Sequence, residues 1–221
     1  MERLKEKIDY CLNCKLKPCR SGCPLGNDIP QFISYAKSNE YRKAYETISQ
    51  TTIMPYICGR ICPKTKQCQG KCVRGIQGKP VAIGEIESFI GDMAVENNWY
   101  LEENASVENG IKIAIIGSGP AGITSAIALA KKGFAVTVFE RHKKIGGILR
   151  YGIPEFRLEK KYVDVLEEHM KHLGIKIITE TACDTIDLKE KYDSVLLATG
   201  ANSSCKMKIQ GEDLPHVFRS K

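Results

Sequence analysis

Apolar residues recur at spacings of three and four in the first hundred positions, and this periodicity predicts helices. Two short helices are predicted over residues 30–37 and 40–50, and a longer one over residues 84–100. The polar stretch over residues 101–110 ends in Asn-Gly, which predicts a linker. The pattern therefore predicts an α-helical domain over residues 1–100, separate from the remainder of the chain.

After the linker, runs of β-branched residues alternate with helical periodicity. Strands are predicted at residues 111–116, 135–139, 175–179 and 194–198, helices at 123–132 and 158–173, and a glycine-rich loop at 144–154. Such alternation is typical of an α/β fold with a parallel sheet. The second domain is thus predicted to be Rossmann-like and to occupy residues 111–221.

A glycine-rich segment separates the first of these strands from the first helix. Its members are Gly117, Ser118, Gly119, Pro120, Ala121 and Gly122. This G-x-G-x-x-G spacing after a strand predicts a dinucleotide site, with the pyrophosphate on the helix N-terminus. Glu140 comes 18 residues after the last glycine and is suited to accept a hydrogen bond from a ribose hydroxyl, which favours FAD or NAD over NADP. The neighbouring Arg141 weakens that preference slightly.

Cysteine is concentrated near the start of the chain. Eight of the ten cysteines fall between positions 11 and 72, namely Cys11, Cys14, Cys19, Cys23, Cys58, Cys62, Cys68 and Cys72. The first residues lack the apolar segment of a secretory signal, which predicts a cytoplasmic protein in which disulfides are rare. Metal ligation is therefore the favoured role of these eight thiols. The isolated Cys183 and Cys205 are predicted to be inert.

The spacing of the first four cysteines bears on which metal they bind. The sequence CLNCKLKPCRSGCP at 11–24 is similar to the bacterial ferredoxin run, although its middle gap is four residues rather than two. In such a run three thiolates hold one [4Fe–4S] cluster and the fourth ligates another, so Cys23 is predicted to begin a second cluster. Zinc is the alternative, but none of the four histidines lies in this segment.

Charge is segregated in the same way as cysteine. Residues 1–80 carry a net charge of +9, residues 81–110 carry −7, and residues 111–221 carry +5. A basic segment can bind nucleic acid. Anionic clusters bound within the segment would be neutralised by this positive charge, so no nucleic acid partner is predicted. The longest apolar stretch, residues 111–130, contains three glycines and a proline, and no membrane association is predicted.

Together these motifs resemble the glutamate synthase small-subunit family. The large subunit of NADH-dependent reduced ferredoxin:NADP oxidoreductase and the N-terminal part of dihydropyrimidine dehydrogenase are similar. The resemblance is carried by CLNCKLKPCRSGCP at 11–24, CGRICPKTKQCQGKCVRG at 58–75, PVAIGEIESF at 80–89, GSGPAG at 117–122, FERHKKIGGILRYGIPEFRL at 139–158 and LLATGA at 196–201. It implies two [4Fe–4S] clusters in a helical domain and FAD in the second domain.

The resemblance also implies a ligand set. One cluster would be held by Cys11, Cys14, Cys19 and Cys72, and the other by Cys23, Cys62, Cys68 and Glu87. Cys58 competes with Glu87 for the eighth position. Near the flavin, the resemblance places residues 151–158 and also Gly146, Gly147, Leu149, Thr199 and Gly200.

The function implied is transfer of electrons between NAD(P)H, FAD and the clusters to a larger redox subunit. No catalytic side-chain acid or base is expected, because the cofactors supply the chemistry. The family has a second nucleotide domain for NAD(P)H, but no second G-x-G-x-x-G occurs here. The FAD domain is therefore expected to be incomplete. The alternative is a non-catalytic iron–sulfur adaptor of a larger redox complex with a degenerate FAD site.

Overall fold

The computed structural model describes residues 2–102, 104–183, 185–201, 206 and 208–217. The α-helices in chain order are α1 (Glu2–Asp9), α2 (Pro18–Ser21), α3 (Ile29–Lys37), α4 (Tyr41–Ser49), α5 (Pro55–Ile61), α6 (Ile83–Glu96), α7 (Pro120–Ala130), α8 (Ile148–Tyr151), α9 (Lys161–His172) and α10 (Thr185–Lys189). The strands are β1 (Lys112–Ile116), β2 (Ala135–Phe139), β3 (Lys176–Ile178) and β4 (Ser194–Leu197). Short 3-10 turns lie at Lys64–Lys66, Gln69–Lys71, Val73–Ile76 and Trp99–Glu102.

The chain forms two compact units whose boundaries differ from the predicted ones. The first unit comprises Met1–Asn104 and Ile153–Leu173, and the second comprises Ala105–Gly152 and Gly174–Lys221. The sequence placed residues 153–173 in the second domain because they continue its alternation of strands and helices. In the structure α9 packs within the first unit, where the ring of Tyr162 stacks on that of Tyr56 with centroids 5.6 Å apart.

Aliphatic and aromatic side chains of the predicted periodic segments form the core of the first unit. Phe32 and Ile33 of α3, Ile48 of α4, and Ile86 and Ile90 of α6 are each at most 1% exposed. Helices α3, α4 and α6 thus confirm the three predicted helices to within a few residues at each end. Helices α1, α2 and α5 were not predicted, because they are too short to show a clear apolar period.

Helices α5 and α6 approach each other closely because both carry glycine at the contact. A Cβ atom on Gly59 would lie 2.5 Å from the main-chain nitrogen of Ser88, and one on Gly91 would lie 2.5 Å from that of Tyr56. Arg60 of α5 also pairs with Asp92 of α6, with 2.7 Å between guanidinium nitrogen and carboxylate oxygen. This contact fixes the position of Cys58 on α5, and of Cys62 directly after the helix, relative to the carboxylates of α6.

The second unit contains a parallel sheet with the strand order β3-β2-β1-β4. Ile115 of the central strand β1 lies opposite Val138 of β2 and Leu196 of β4. Helix α7 connects β1 to β2, which confirms the predicted strand–helix–strand unit. This arrangement is typical of folds that bind dinucleotides at the carboxyl ends of their strands. Within the part of the chain that the structure describes, no helix has the length and apolar character needed to cross a membrane.

Candidate cofactor sites

Four of the predicted ligand thiols surround one small cavity in the first unit. Its lining includes Cys11, Cys14, Cys19 and Cys72, together with apolar side chains such as Ile33 of α3. These are the same four cysteines that the resemblance assigns to one cluster. The structure therefore brings together a complete set of four thiols, although they span more than sixty positions in the sequence.

Local backbone geometry and two donors shape this first thiol group. Asn13 and Lys17 have positive φ angles of 50° and 46°, which turn the chain back on itself between the cysteines. The ammonium of Lys37 on α3 donates to the main-chain oxygen of Cys11 at 2.7 Å. The main-chain N–H of Val81 donates to the sulfur of Cys72 at 3.5 Å. Lys37 thus ties the start of this loop to α3, and Val81 holds the sulfur of Cys72.

Burial controls the protonation of these thiols. It raises the pKa of Cys11, and it raises the pKa of Cys19 to about 11. Neighbouring thiols act in the same direction, since Cys72 raises the pKa of both. A buried group of four thiolates therefore requires a compensating positive charge, which a bound metal centre provides.

A second group forms around the end of α5 and contains Cys23, Cys58, Cys62, Cys68 and Glu87. Cys68 interacts electrostatically with Cys23, Cys62 and Glu87. Cys58 lies one helical turn before Cys62, and each of the two thiols shifts the pKa of the other. Five candidate ligands are thus brought together here, one more than the four that hold a cubane cluster through thiolates.

The pKa values of the residues in the second group are shifted in different directions. Burial raises the pKa of the Glu87 carboxyl to about 8. The hydrogen bond from Cys58 lowers the pKa of the Cys62 thiol to about 6 and raises the pKa of Cys58 itself. Lys64 is the nearby cation, because it lowers the pKa of both Cys62 and Glu87.

Among the residues that the structure describes, no group of three or more His, Cys, Asp or Glu side chains is arranged to hold a single metal ion.

The glycine-rich segment has the shape that a diphosphate site requires. Gly117 has a φ of +102°, and a Cβ atom on it would lie 2.4 Å from the carbonyl oxygen of Ala198. A Cβ atom on Gly122 would lie 2.0 Å from the carbonyl oxygen of Gly117. At Gly119, in contrast, a Cβ atom would meet nothing within 4 Å. Contacts within the protein thus require glycine at positions 117 and 122, whereas Gly119 leaves open space next to the helix.

The N-terminus of α7 faces this open space without a side-chain cap. Gly119 is the N-cap residue, and no side-chain hydrogen bond to it is present in this described part of the chain. Pro120 occupies the first helical position and Ala121 is exposed. The first turn therefore offers main-chain N–H groups and the positive end of the helix dipole to an anion. These features fit the diphosphate of a dinucleotide.

Glu140 has a structural role that the sequence did not predict. The residue directly follows β2 and is only 4% exposed. One carboxylate oxygen accepts from the main-chain N–H of Ser118 at 3.1 Å and also from the Ser118 hydroxyl, and the other accepts from the N–H of His142 at 2.8 Å. Glu140 thus fastens the glycine turn to the neighbouring strand. A carboxylate has about four acceptor sites, so the predicted bond to a ribose hydroxyl stays a prediction.

The other residues predicted to contact the flavin differ in how far they are buried in the second unit. Gly147 has a φ of +49°, and a Cβ atom on it would come within 2.8 Å of the Gly119 Cα atom. The N–H of Gly146 donates to the carbonyl oxygen of Ser118 at 2.9 Å. The structure thus places this loop against the glycine-rich segment. Arg141, Thr199 and Gly200 are exposed, whereas the side chain of Leu149 is buried at 2% exposure.

Of the two isolated thiols, Cys183 is half-buried, and Cys205 lies outside the described residues.

Several residues near the thiols were not predicted from the sequence. They are Lys37, Thr52, Lys64 and Val81. Lys64 stands two positions after Cys62, and its aliphatic chain fills the space beside Gly84, where a Cβ atom would clash with it. Proximity to a cysteine in sequence could have indicated Lys64, but Lys37 and Val81 carry no local signal.

Comparison with known families matches both units in order. A family model described as dihydropyrimidine dehydrogenase domain II, 4Fe-4S cluster, matches residues 1–99. A second, described as pyridine nucleotide-disulphide oxidoreductase, matches residues 111–221, half of the chain. The chain belongs to the pyridine nucleotide-disulphide oxidoreductase family. The 4Fe-4S domain match precedes the nucleotide domain match along the chain, in the order that the motifs predicted.

Individual relatives confirm the resemblance seen in the sequence. The chain is 37% identical to the glutamate synthase [NADPH] small chain of Escherichia coli over 97% of its own length and 46% of that protein. It is 36% identical to the corresponding chain of Mycobacterium tuberculosis over 99% of its length and 45% of the relative. It is also 37% identical to the glutamate synthase [NADPH] small chain of Bacillus subtilis, over 96% of its own length and 45% of the relative. The chain thus spans about half the length of the curated relatives it matches.

Proposed function

We propose that the chain is the iron–sulfur and FAD-binding part of an NAD(P)H-dependent flavoprotein of the glutamate synthase small-subunit type. It moves electrons between NAD(P)H, FAD and two [4Fe–4S] clusters to a larger partner subunit. The observation that carries this proposal is the sorting of nine thiol and carboxyl candidates into two groups. One group consists of Cys11, Cys14, Cys19 and Cys72, and the other lies around Cys62.

The residues of the two units hold and tune cofactors rather than react themselves. When bound, FAD exchanges two electrons as hydride with a nicotinamide, and the clusters pass electrons singly. The N–H groups at the start of α7 would bind the diphosphate, and Gly119 leaves room for its approach. Glu140 holds the glycine turn in place and disfavours a 2′-phosphate in this site. No side-chain acid or base is needed for these steps.

For the second cluster we propose Cys23, Cys62, Cys68 and Glu87 as ligands. Glu87 faces the thiols from the middle of α6, and its carboxylate interacts with both Cys62 and Cys68. The glycine contact between α5 and α6 holds this carboxylate at a fixed position. A carboxylate in place of a thiolate changes the charge and therefore the potential of a cluster.

The decisive experiment is quantitation of iron, sulfide and flavin on protein purified without oxygen. The proposal requires about eight iron and eight sulfide per chain, with FAD in stoichiometric amount. About two zinc ions with no iron would refute the cluster assignment. Iron and sulfide without flavin would instead support a non-catalytic adaptor.

A further inference from the structure

Two cations hold the backbone that carries the first cysteine of the chain. The ammonium of Lys37 donates to the main-chain oxygen of Cys11 at 2.7 Å. One residue earlier, the main-chain oxygen of Tyr10 accepts a hydrogen bond from Nε of Arg74 at 3.0 Å. Arg74 stands two positions after Cys72 in the sequence. Its side chain therefore joins the segment that carries Cys72 to the segment that carries Cys11, and both cysteines belong to the first thiol group.

The guanidinium of Arg74 makes a second contact with the same residue. Its central carbon lies 4.2 Å from the centroid of the Tyr10 ring, within the range of a cation–π interaction. The carbonyl oxygen and the aromatic ring carry no formal charge, so these contacts leave the positive charge of the guanidinium in place. In a protein a guanidinium is always protonated. Arg74 is thus held at two points and carries a permanent positive charge.

This charged residue forms part of the wall of the cavity that the four thiols surround. Arg74 and its neighbour Val73 line the cavity together with the cysteines. A cluster held by four thiolates is anionic, and its reduction adds one more negative charge. A fixed cation nearby stabilises the reduced state more than the oxidised one, because the Coulomb energy grows with the charge. Arg74 is therefore placed to favour the reduction of a cluster in this cavity.

We propose that Arg74 is a positioning residue that also raises the reduction potential of the first cluster. The first cluster is the one assigned to Cys11, Cys14, Cys19 and Cys72. The Nε–H group of Arg74 holds the two cysteine-bearing segments together, and its positive charge favours the reduced cluster. The inference rests on the proposed function, because it takes these four cysteines as the ligands. The two roles belong to different features of one side chain, so different substitutions separate them.

The test is a redox titration followed by electron paramagnetic resonance on the anaerobically purified full chain. Cys14→Ala removes one thiol of the first group and identifies the signal of the first cluster. Arg74→Gln removes the charge but keeps an N–H donor at the position of Nε, since both nitrogens are bonded to Cδ. Its iron content should equal that of the wild type. The ratio of reduced to oxidised first cluster at a fixed potential should fall about three- to tenfold.

Arg74→Lys makes the opposite change. It keeps the charge but has a methylene group in place of Nε–H, so the ratio should stay within about twofold of the wild type. A chelator should remove iron from its first cluster faster, because the bond to the Tyr10 carbonyl is lost. Arg42→Gln is the matched control, since the charge of Arg42 is already paired with Glu46 and Glu102. This control should change neither the ratio nor the rate of iron loss.

An unchanged ratio in Arg74→Gln with full iron content would overturn the inference. Equal falls in Arg74→Gln and Arg74→Lys would overturn it as well, because a lost contact rather than a lost charge would then explain both. If Arg74→Gln does not retain the first cluster, Arg74→Lys decides, because the inference requires it to keep the cluster and the wild-type ratio. Loss of the first cluster from both variants would refute the role of the charge. A wild-type chain without iron would refute the proposed function itself, before any variant is compared.

Discussion

The ammonium of Lys37 lies 2.7 Å from the main-chain oxygen of Cys11 and donates a hydrogen bond to it. A second bond from the same ammonium reaches the main-chain oxygen of Asp9 at 3.0 Å. Lys37 is the last residue of α3, so it joins the end of one helix to the loop that carries the first thiol group. One side chain thus ties the helical core to a candidate cofactor site.

Replacement of this lysine should loosen the first thiol group. Lys37→Met removes both bonds, and we expect the free energy of unfolding to fall by about 1.5–3 kcal/mol, the usual value for hydrogen bonds from a charged donor. Iron should also be lost faster to a chelator. Lys43→Met is the matched control, because Lys43 is exposed and pairs only with surface groups such as Glu40. Equal chelation rates in the two variants would contradict the prediction.

Glu87 provides a direct test of the proposed second cluster. Glu87→Ala removes a ligand and should lower the iron content from about eight to about four per chain. Glu87→Gln keeps an oxygen that can bind iron and should retain most of it. The control is Glu85→Ala, which changes an exposed carboxylate of the same helix that pairs with Lys7. Full iron content in Glu87→Ala would assign the eighth position to Cys58.

The sequence predicted features that neighbouring residues encode better than features that depend on contacts between distant residues. Strand β2 was predicted to the residue, because a strand–turn–helix unit is encoded within about 30 residues. The family match covers the predicted second domain over residues 111–221. The packing of residues 153–173 within the first unit was not predicted, because the hydrogen-bond partner of Tyr162 lies seventy positions earlier in the chain. Local periodicity holds no information about such a contact.

The charge pattern shows the same limit. The basic segment was interpreted as compensation for anionic clusters, and Lys64 does lie beside Glu87. In the described part of the chain, three of its fifteen basic residues instead form ion pairs with the acidic segment. Ion pairs Lys7–Glu85, Arg60–Asp92 and Arg42–Glu102 join it to the acidic segment over residues 81–110. The net charge of a segment cannot show whether its basic residues neutralise clusters or form ion pairs, because ion pairing depends on the fold.

The hydroxyl of Tyr162 should contribute to the stability of the first unit. It donates to Asp92 at 2.9 Å, and the ring is 5% exposed. Tyr162→Phe leaves the ring contacts intact and should cost about 1 kcal/mol. Fluorescence of Trp99, the single tryptophan, can follow urea unfolding of this unit. Tyr35→Phe is the control, since within the described residues its hydroxyl makes no hydrogen bond; an equal loss there would argue against the Asp92 contact.

The two glycines at positions 119 and 122 separate cofactor binding from folding. At Gly119 the backbone has φ −72° and ψ −177°, which alanine adopts without strain, and the added Cβ atom meets no protein atom within 4 Å. Gly119→Ala should therefore change the free energy of unfolding of the FAD-free chain by less than about 0.5 kcal/mol. Its Cβ atom would fill the space left for the diphosphate, so FAD affinity should fall at least about tenfold, the effect of about 1.4 kcal/mol.

Gly122→Ala should behave in the opposite way. Its Cβ atom would lie 2.0 Å from the carbonyl oxygen of Gly117, so α7 must move away from the turn. We expect a loss of about 1–3 kcal/mol in the free energy of unfolding, as for other overpacked sites. Flavin fluorescence titration and urea denaturation of both variants give the two quantities separately. Undiminished FAD binding by Gly119→Ala would mean that the diphosphate does not approach this glycine, and the cofactor would have to be held elsewhere in the second unit.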